Sequence, residues 1–448
     1  MISWHDEGQP LFAEMAVMKV TTGREKDCGS WHGWGGGMQK ADGISKVMSV
    51  RLAYFVSHPI QYQAPLLQRI AREDDIDLTV FFSSDLSVRG YSDEGFGGVQ
   101  VKWDVPLLEG YRHEFLPGIR KSGGVGVTRP ISRGILSRLR KGKFDAVWVH
   151  GYHTVDSMHA ILAARLLGLP VLLRAESSLD DRPRGGVKLA AKKVFFRGLG
   201  PLVSCVLPIG SKNEAYWRTY LGGRTPMFRM PYSVDNEYFQ QKAAEAAAGR
   251  EELRRSLGLE PGRPVILFAS KLQTRKRCMD LVEAFLRLRG GAADKPAAYL
   301  VIVGDGEERG ALERRIAASG SEHVRMLGFR NQSELPRFFD LCDVFVLPSI
   351  HEPWGLIVNE LMSAGRAVVV TDQVGSAPDM VENGGNGFVF PAGDVSALSA
   401  VLQRFVDEPE LAARLGEKAR ERVADFSFER DVDGLRRALQ MVVPGFSA

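Results

Sequence analysis

From residue 50 onward, unbroken runs of Val, Leu, Ile and Phe alternate with stretches whose apolar residues recur every three or four positions. RLAYFVS, LTVFFSS, DAVWVHG, PVLLRAE and VSCVLPIGS read as buried strands, with helices predicted over 64–72 and 158–167. After MPYSVDNEYF and a charged, Ala-rich helix predicted over 240–257, a second series follows. Its strands are PVILFAS, AYLVIVGDG, VRMLGF, VFVLPS and AVVVTDQ, with helices predicted over 279–289, 309–318, 334–341, 356–364 and 395–406. Strands apolar along their whole length, separated by amphipathic helices, are what a parallel sheet covered on both faces requires. The pattern predicts an α/β chain with two doubly wound, Rossmann-like domains, 48–232 and 233–420, facing a central cleft. Ligands of such sheets sit at the carboxyl ends of the strands. Residues 1–47 show neither period, so a disordered extension is expected there, or an upstream start, with Met48 standing just before the first strand. The competing reading is a His- and Trp-bearing arm that binds a metal or a partner.

Composition narrows this picture. A chain of 448 residues, 44% apolar and 25% charged, can bury a sizeable core, which excludes disordered, collagen-like and small disulfide-scaffold classes. Cys28, Cys205, Cys278 and Cys342 form no CxxC pair, so neither a disulfide framework nor a structural zinc site is expected. No window reaches the roughly 18 to 20 apolar residues of a spanning helix, and the N-terminus is acidic where a signal peptide would be basic. A soluble, cytoplasmic chain is expected.

The most specific stretch is PSIHEPWGLIVNELMSAGRAVVVTD. A strand ends at Ser349, a tight loop carries Glu352 and Pro353, and a helix opens near Gly355 with Glu360 inside it. The orphan backbone N–H groups of Trp354 to Ile357 suit a phosphate or diphosphate. Two carboxylates, one before the helix and one within it, can line an elongated ligand rich in hydroxyls; the plainer reading makes Glu352 a cap and Glu360 a solvated side chain. In ASKLQTRKR, Lys271 and Lys276 flank a strand-to-helix loop where two ammonium groups can converge on one diphosphate. Taken alone, such a loop is usually just solvated. VIVGDGEERG places Gly304 and Gly306 after a strand, but Arg309 stands where a dinucleotide fingerprint needs its third glycine. These glycines read as a turn near the ligand rather than an NAD site.

With FFDLCDVFVLPS and GSAPDMVENGGNGFVFPAGD added, residues 264–406 resemble the catalytic domain of the retaining nucleotide-sugar glycosyltransferases of family 4, the group 1 domain of GT-B fold. The resemblance implies that Glu352 holds donor-sugar hydroxyls and Glu360 the ribose. It implies that Lys271 and Lys276, with the amides of Gly355 and Leu356, neutralise the diphosphate, and that the base lies near Phe329 and Arg330, with Gly304 and Trp354 also on the donor side. Lys271 stands where Arg is commoner, which exchanges a bidentate fork for a point charge. The first domain would bind the acceptor. His150 in HGYH takes the place of the family's histidine near the reaction centre, with His153 as second choice; His58, Gln61 and Tyr62 in SHPIQYQAP face the cleft where the family has a Gly-Gly loop, and Arg174, Ala175 and Glu176 follow PVLL where many relatives carry a His. The implied catalytic residues are His150, Glu352 and Lys276, and a helix over 421–448 would cross back to the first domain.

The activity so implied is transfer of a sugar from a nucleoside-diphosphate sugar, with retention, to a sugar, polysaccharide or lipid-linked acceptor in cell-surface assembly. No cofactor or metal is implied: Asp431-x-Asp433 matches a metal motif in its letters but falls in a helical stretch. A nucleotide-sugar 2-epimerase of the same fold and a non-catalytic nucleotide-sugar-binding subunit are the competing readings, and the intact Lys276, Glu352 and Glu360 favour transfer. The formal net charge of +4 conceals a polarity, +8 over 51–240 and −3 over 241–448, with eight basic and no acidic residues between Pro117 and Phe144. A basic acceptor domain suits anionic head groups at the inner face of a membrane, solvated helix faces being the alternative. The overall balance excludes a nucleic-acid binder.

Overall fold

The computed structural model describes residues 49–119, 125–180, 185–290 and 297–447; the extension 1–47 and the basic pair at 120–121 lie outside them. The first domain contains β1 (Val50–Val56), β2 (Ile76–Phe82), β3 (Tyr91–Asp93), β4 (Val99–Val101), β5 (Arg112–Phe115), β6 (Ala146–His150), β7 (Val171–Arg174) and β8 (Cys205–Val206). Strands β3 and β4 pair antiparallel as a hairpin, and the others form one parallel sheet in the order β5-β2-β1-β6-β7-β8. The second domain contains β9 (Val265–Ala269), β10 (Tyr299–Val303), β11 (Val324–Met326), β12 (Val344–Leu347), β13 (Ala367–Thr371) and β14 (Gly387–Phe390), parallel in the order β11-β10-β9-β12-β13-β14. Both orders reverse beside the first strand, which puts ligand crevices between β1 and β6 and between β9 and β12. Those crevices open where the loops SHPI, HGYH, SKLQ and PSIHEP leave the strands.

Period-two burial explains the unbroken apolar runs. Val265, Leu267 and Ala269 feed one core while Ile266 and Phe268 feed another on the opposite face, as a sheet covered on both sides demands. Two expectations shift in detail. The helix predicted over 240–257 begins earlier, where the Asp235 carboxylate caps Asn236–Ala246, and then breaks through a 3-10 turn ending at Gly249 before Arg250–Ser256 resumes. Strand β8 keeps only two residues of VSCVLPIGS, because Pro208 offers no donor to a ladder.

The C-terminal helix Phe428–Val442 buries Phe428, Val432, Leu435, Ala438 and Leu439 against Val50, Leu52, Ile76 and Leu78 of the first sheet. A buried ion pair pins it there. Arg174, at the end of β7, donates to the Asp431 carboxylate at 3.0 Å and to the carbonyls of Met230 at 2.9 Å and Pro231 at 3.2 Å. The Ser233 hydroxyl donates to the other Asp431 oxygen. Asp431 is therefore committed to structure. Asp431→Ala, which leaves a guanidinium buried without its counter-charge, should cost about 3–5 kcal/mol. Urea denaturation should show a lower midpoint at constant m value, and an unchanged midpoint would refute the assignment.

Candidate active site

The first part of the site is built where β9 and β12 end side by side. The loop after β9 closes into the 3-10 turn Thr274–Lys276, which leaves Lys276 1% exposed, its ammonium hydrogen-bonded to the Glu352 carboxylate in the loop after β12. Arg275 lies 3.6 Å from the same carboxylate and donates to the His351 carbonyl at 3.1 Å. The Glu352 carbonyl accepts from Gly375 at 2.8 Å, which pins this loop against the one after β13. Burial depresses the Lys276 ammonium to about 8 against the attraction of Glu352, and the charges of Arg275 and Lys271 push the same way. Burial alone would raise the Glu352 carboxyl, but Lys276 and Arg275 hold it below its usual range. The pair is ionic at neutral pH, with a surplus of positive charge around it.

Lys271 is 3% exposed and paired across the domains, its ammonium 3.0 and 2.9 Å from the two carboxylate oxygens of Asp93 on β3. Burial lowers its pKa, and Asp93 recovers part of that loss. Gly304 has φ of 139°, and a Cβ there would lie 1.9 Å from the Ser270 carbonyl oxygen, so the ends of β9 and β10 meet backbone to backbone. Gly355, at φ 89°, starts the helix Leu356–Ser363, and the Leu356 side chain is buried. Glu360, within that helix, is part-buried. The Trp354 indole belongs to the interdomain core: it meets Tyr232 at 6.2 Å and Phe426 at 6.1 Å, and Nε1 donates to Asn359 at 2.9 Å. Phe329 packs edge to face on Phe96 of the first domain at 4.9 Å. Arg330 lies 3.8 Å from Glu334, and its buried Nε makes no hydrogen bond.

The second part lies at the β1 and β6 ends. His150, the last residue of β6, places Nε2 3.8 Å from Glu176 and 3.2 Å from the Gln63 amide nitrogen. The Tyr62 hydroxyl donates to Glu176 at 2.7 Å and the Tyr232 hydroxyl to the same oxygen. Burial would raise the Glu176 carboxyl, yet the hydrogen bond and charge of His150 and the two hydroxyls bring it down to about 2. Burial, reinforced by the charge of His150, lowers His58 to about 4, so it is neutral at pH 7; its Nδ1 lies 2.8 Å from the Ser57 hydroxyl. Gln61 is part-buried. His153 is exposed, so of the HGYH pair it is His150 that joins this cluster. Tyr232 links the two halves, touching Glu176 on one side and Trp354 on the other. Tyr232 and Asp93 were not singled out from the sequence; Tyr62 was read there only as facing the cleft, and Glu176 only as standing after PVLL where relatives carry a histidine, so neither was joined to His150.

Among the described residues, no three His, Cys, Asp or Glu gather as metal ligands, and no helix is long and apolar enough to cross a membrane. A cavity of about 710 Å³ lies away from the strand ends, between the turn 72–75 and the segment 430–440. Its walls are tied by ion pairs such as Arg436 with Asp75 at 2.8 Å.

Residues 249–422 match the profile of the family described as glycosyl transferases group 1. The chain is 27% identical over 273 residues to the alpha-D-kanosaminyltransferase of Streptomyces kanamyceticus, covering 59% of this chain and 68% of that one. It is 30% identical over 309 residues to a glycogen synthase of Mycobacterium tuberculosis, covering 65% and 69%. Its structure is similar to that of Anabaena Alr3699/HepE, solved with UDP and glucose, at a TM-score of 0.64 and 18% identity over 88% of this chain and 100% of the other. The two facing domains are thus a GT-B fold.

Because the contact is backbone to backbone, Gly304→Ala should destabilise the second domain by about 3 kcal/mol or more. A melting temperature equal to that of the parent chain would show that the turn tolerates a side chain.

Proposed function

The chain belongs to the glycosyl transferases group 1 family, and from that premise we propose that it transfers a sugar from a nucleoside-diphosphate sugar to an acceptor hydroxyl with retention, in the manner of family 4. The observation that carries this reading is the buried Lys276–Glu352 pair, with Lys271 and Arg275 beside it, at the switch point of the second sheet. Breaking the bond from the anomeric carbon to the diphosphate leaves a cation-like sugar and an anionic leaving group, so positive charge held in place on the phosphate side favours the transition state. Lys276, Lys271 and the amides of Gly355 and Leu356 supply it, with no metal or cofactor. Glu352, kept ionised by Lys276, accepts hydrogen bonds from donor-sugar hydroxyls; Glu360 takes the ribose, and the base lies toward Phe329 and Arg330. As the acceptor oxygen bonds to the anomeric carbon on the face the diphosphate leaves, its proton passes to the departing phosphate oxygen. His150, backed by Glu176, lines the acceptor wall with His58 and Gln61.

The acceptor in this reading is a growing polysaccharide or a lipid-linked sugar. The basic residues Arg129, Arg133, Arg140, Lys141 and Lys143 would favour an anionic membrane at its inner face.

Nucleotide release should appear with at least one nucleotide sugar of a panel assayed with and without lipid-linked oligosaccharide in anionic vesicles, and NMR of the product should show the donor's anomeric configuration. Release from none, or an inverted product, contradicts the proposal. Lys276→Ala should lower kcat/KM for the donor by about 30- to 1000-fold. In the parent enzyme kcat/KM should fall as pH rises through about 8, where Lys276 loses its proton and with it the charge that meets the diphosphate. Lys276→Arg, which stays charged, should move that limb to higher pH; a limb left in place belongs to another group.

A further inference from the structure

The β3–β4 hairpin leaves the first domain and docks on the donor half of the second. Asp93 sets both carboxylate oxygens on Lys271, and its Oδ1 also accepts from the Gly95 amide at 2.8 Å. Phe96 lies beneath the same ammonium, 4.7 Å from ring centre to nitrogen, and packs edge to face on Phe329. The approach at the tip is close. A Cβ on Gly95 would lie 2.8 Å from the Lys271 nitrogen, and one on Gly97, at φ 68°, 3.5 Å from Gly306. Just beyond β4, the Lys102 carbonyl accepts from Asn331 at 2.7 Å, and the Asp104 carboxylate accepts from the Ser333 hydroxyl. Residues 93–104 therefore cover both Lys271, assigned above to the diphosphate, and Phe329, assigned to the base.

What the hairpin brings is a carboxylate for the ammonium and a flat ring for the aromatic side chain, the same two chemistries a nucleoside diphosphate would bring. Resting on the donor-site reading above, we propose that the hairpin is an internal stand-in for the nucleotide, in which Asp93 is a positioning residue that holds Lys271 until the donor diphosphate replaces its carboxylate. Two charge arguments require an exchange rather than a shared site. Lys271, almost wholly removed from water, cannot stand without a counter-charge when the donor is absent. A diphosphate arriving while Asp93 stayed would set like charges within a few ångströms in a water-poor cleft. Donor entry thus displaces Asp93 and Phe96 together and releases a tie between the domains at the cleft mouth.

Asp93→Asn keeps the size of the side chain and an oxygen for the Gly95 amide while removing the charge, and Phe96→Ala removes the ring without touching the ion pair. Isothermal titration of the full chain with UDP, GDP and the other common nucleoside diphosphates reads the exchange directly. Each variant should bind the nucleotide about tenfold tighter or more than the parent, and donor KM should fall by a larger factor than kcat changes. A purely structural tie predicts the opposite, and affinity that is equal or weaker in both variants overturns the exchange. Should Asp93→Asn fail to fold, Phe96→Ala decides by itself. Parent binding without gain in either variant removes only the hairpin's role; no binding by parent and variants alike removes the donor-site reading and this inference with it.

Discussion

Two ammonium groups held out of water at the end of β9 set the terms for the rest of the molecule. An isolated buried ammonium costs about several kcal/mol, so Lys276 and Lys271 can sit where they do only if each brings a carboxylate with it. Lys276 finds Glu352 within its own domain, because β9 pairs with β12 and their outgoing loops must be neighbours. Lys271 finds Asp93 in the other domain. One pair is completed when the second sheet folds. The other exists only when the domains are together and the hairpin is seated. A local electrostatic need thereby becomes a long-range link between the halves.

The same rule governs the opposite side of the interface. Arg174 is as deeply buried as the two lysines, and Asp431 on the C-terminal helix answers it. This tie is mechanical: it locks the crossing helix and the segment 230–233 to the first sheet, with Tyr232 stacked under the guanidinium at 4.9 Å. Tyr232 then reaches both Glu176, in the His150 cluster, and Trp354, next in the chain but one to Glu352. One aromatic side chain thus touches both ends of the cleft.

The central strands were legible because burial on both faces leaves an unbroken apolar run, whereas the edge strands β5 and β14 were not forecast; most forecast helices were legible because one stripe is buried. The helix Gly186–Leu199 was not, since it buries only Phe196 and Leu199 and so carries no stripe to read. The hairpin was invisible for a related reason. Its strands are three residues long, and SDEGFGG reads as a polar, glycine-rich loop; what seats it, Phe96 on Phe329 and Asp93 on Lys271, lies 233 and 178 positions away along the chain. The Glu176 cluster was hidden in the same way, because Tyr62 and Tyr232 reach that carboxylate from segments 114 and 56 residues distant.

The amino-acid sequence by itself determined the two doubly wound sheets, the glycine turn at 304 and the siting of a lysine loop and a glutamate loop at strand ends of the second sheet. Each depends on local periodicity, on backbone sterics, or on the strand order that neighbouring αβ units impose. Only the tertiary structure decided which carboxylate neutralises which lysine, that Trp354 turns inward, that Asp431 serves a buried arginine, and that the first domain lays a carboxylate and a ring on the second. Those outcomes turn on desolvation, and whether a charge is desolvated is a property of everything packed around it rather than of its neighbours in the chain.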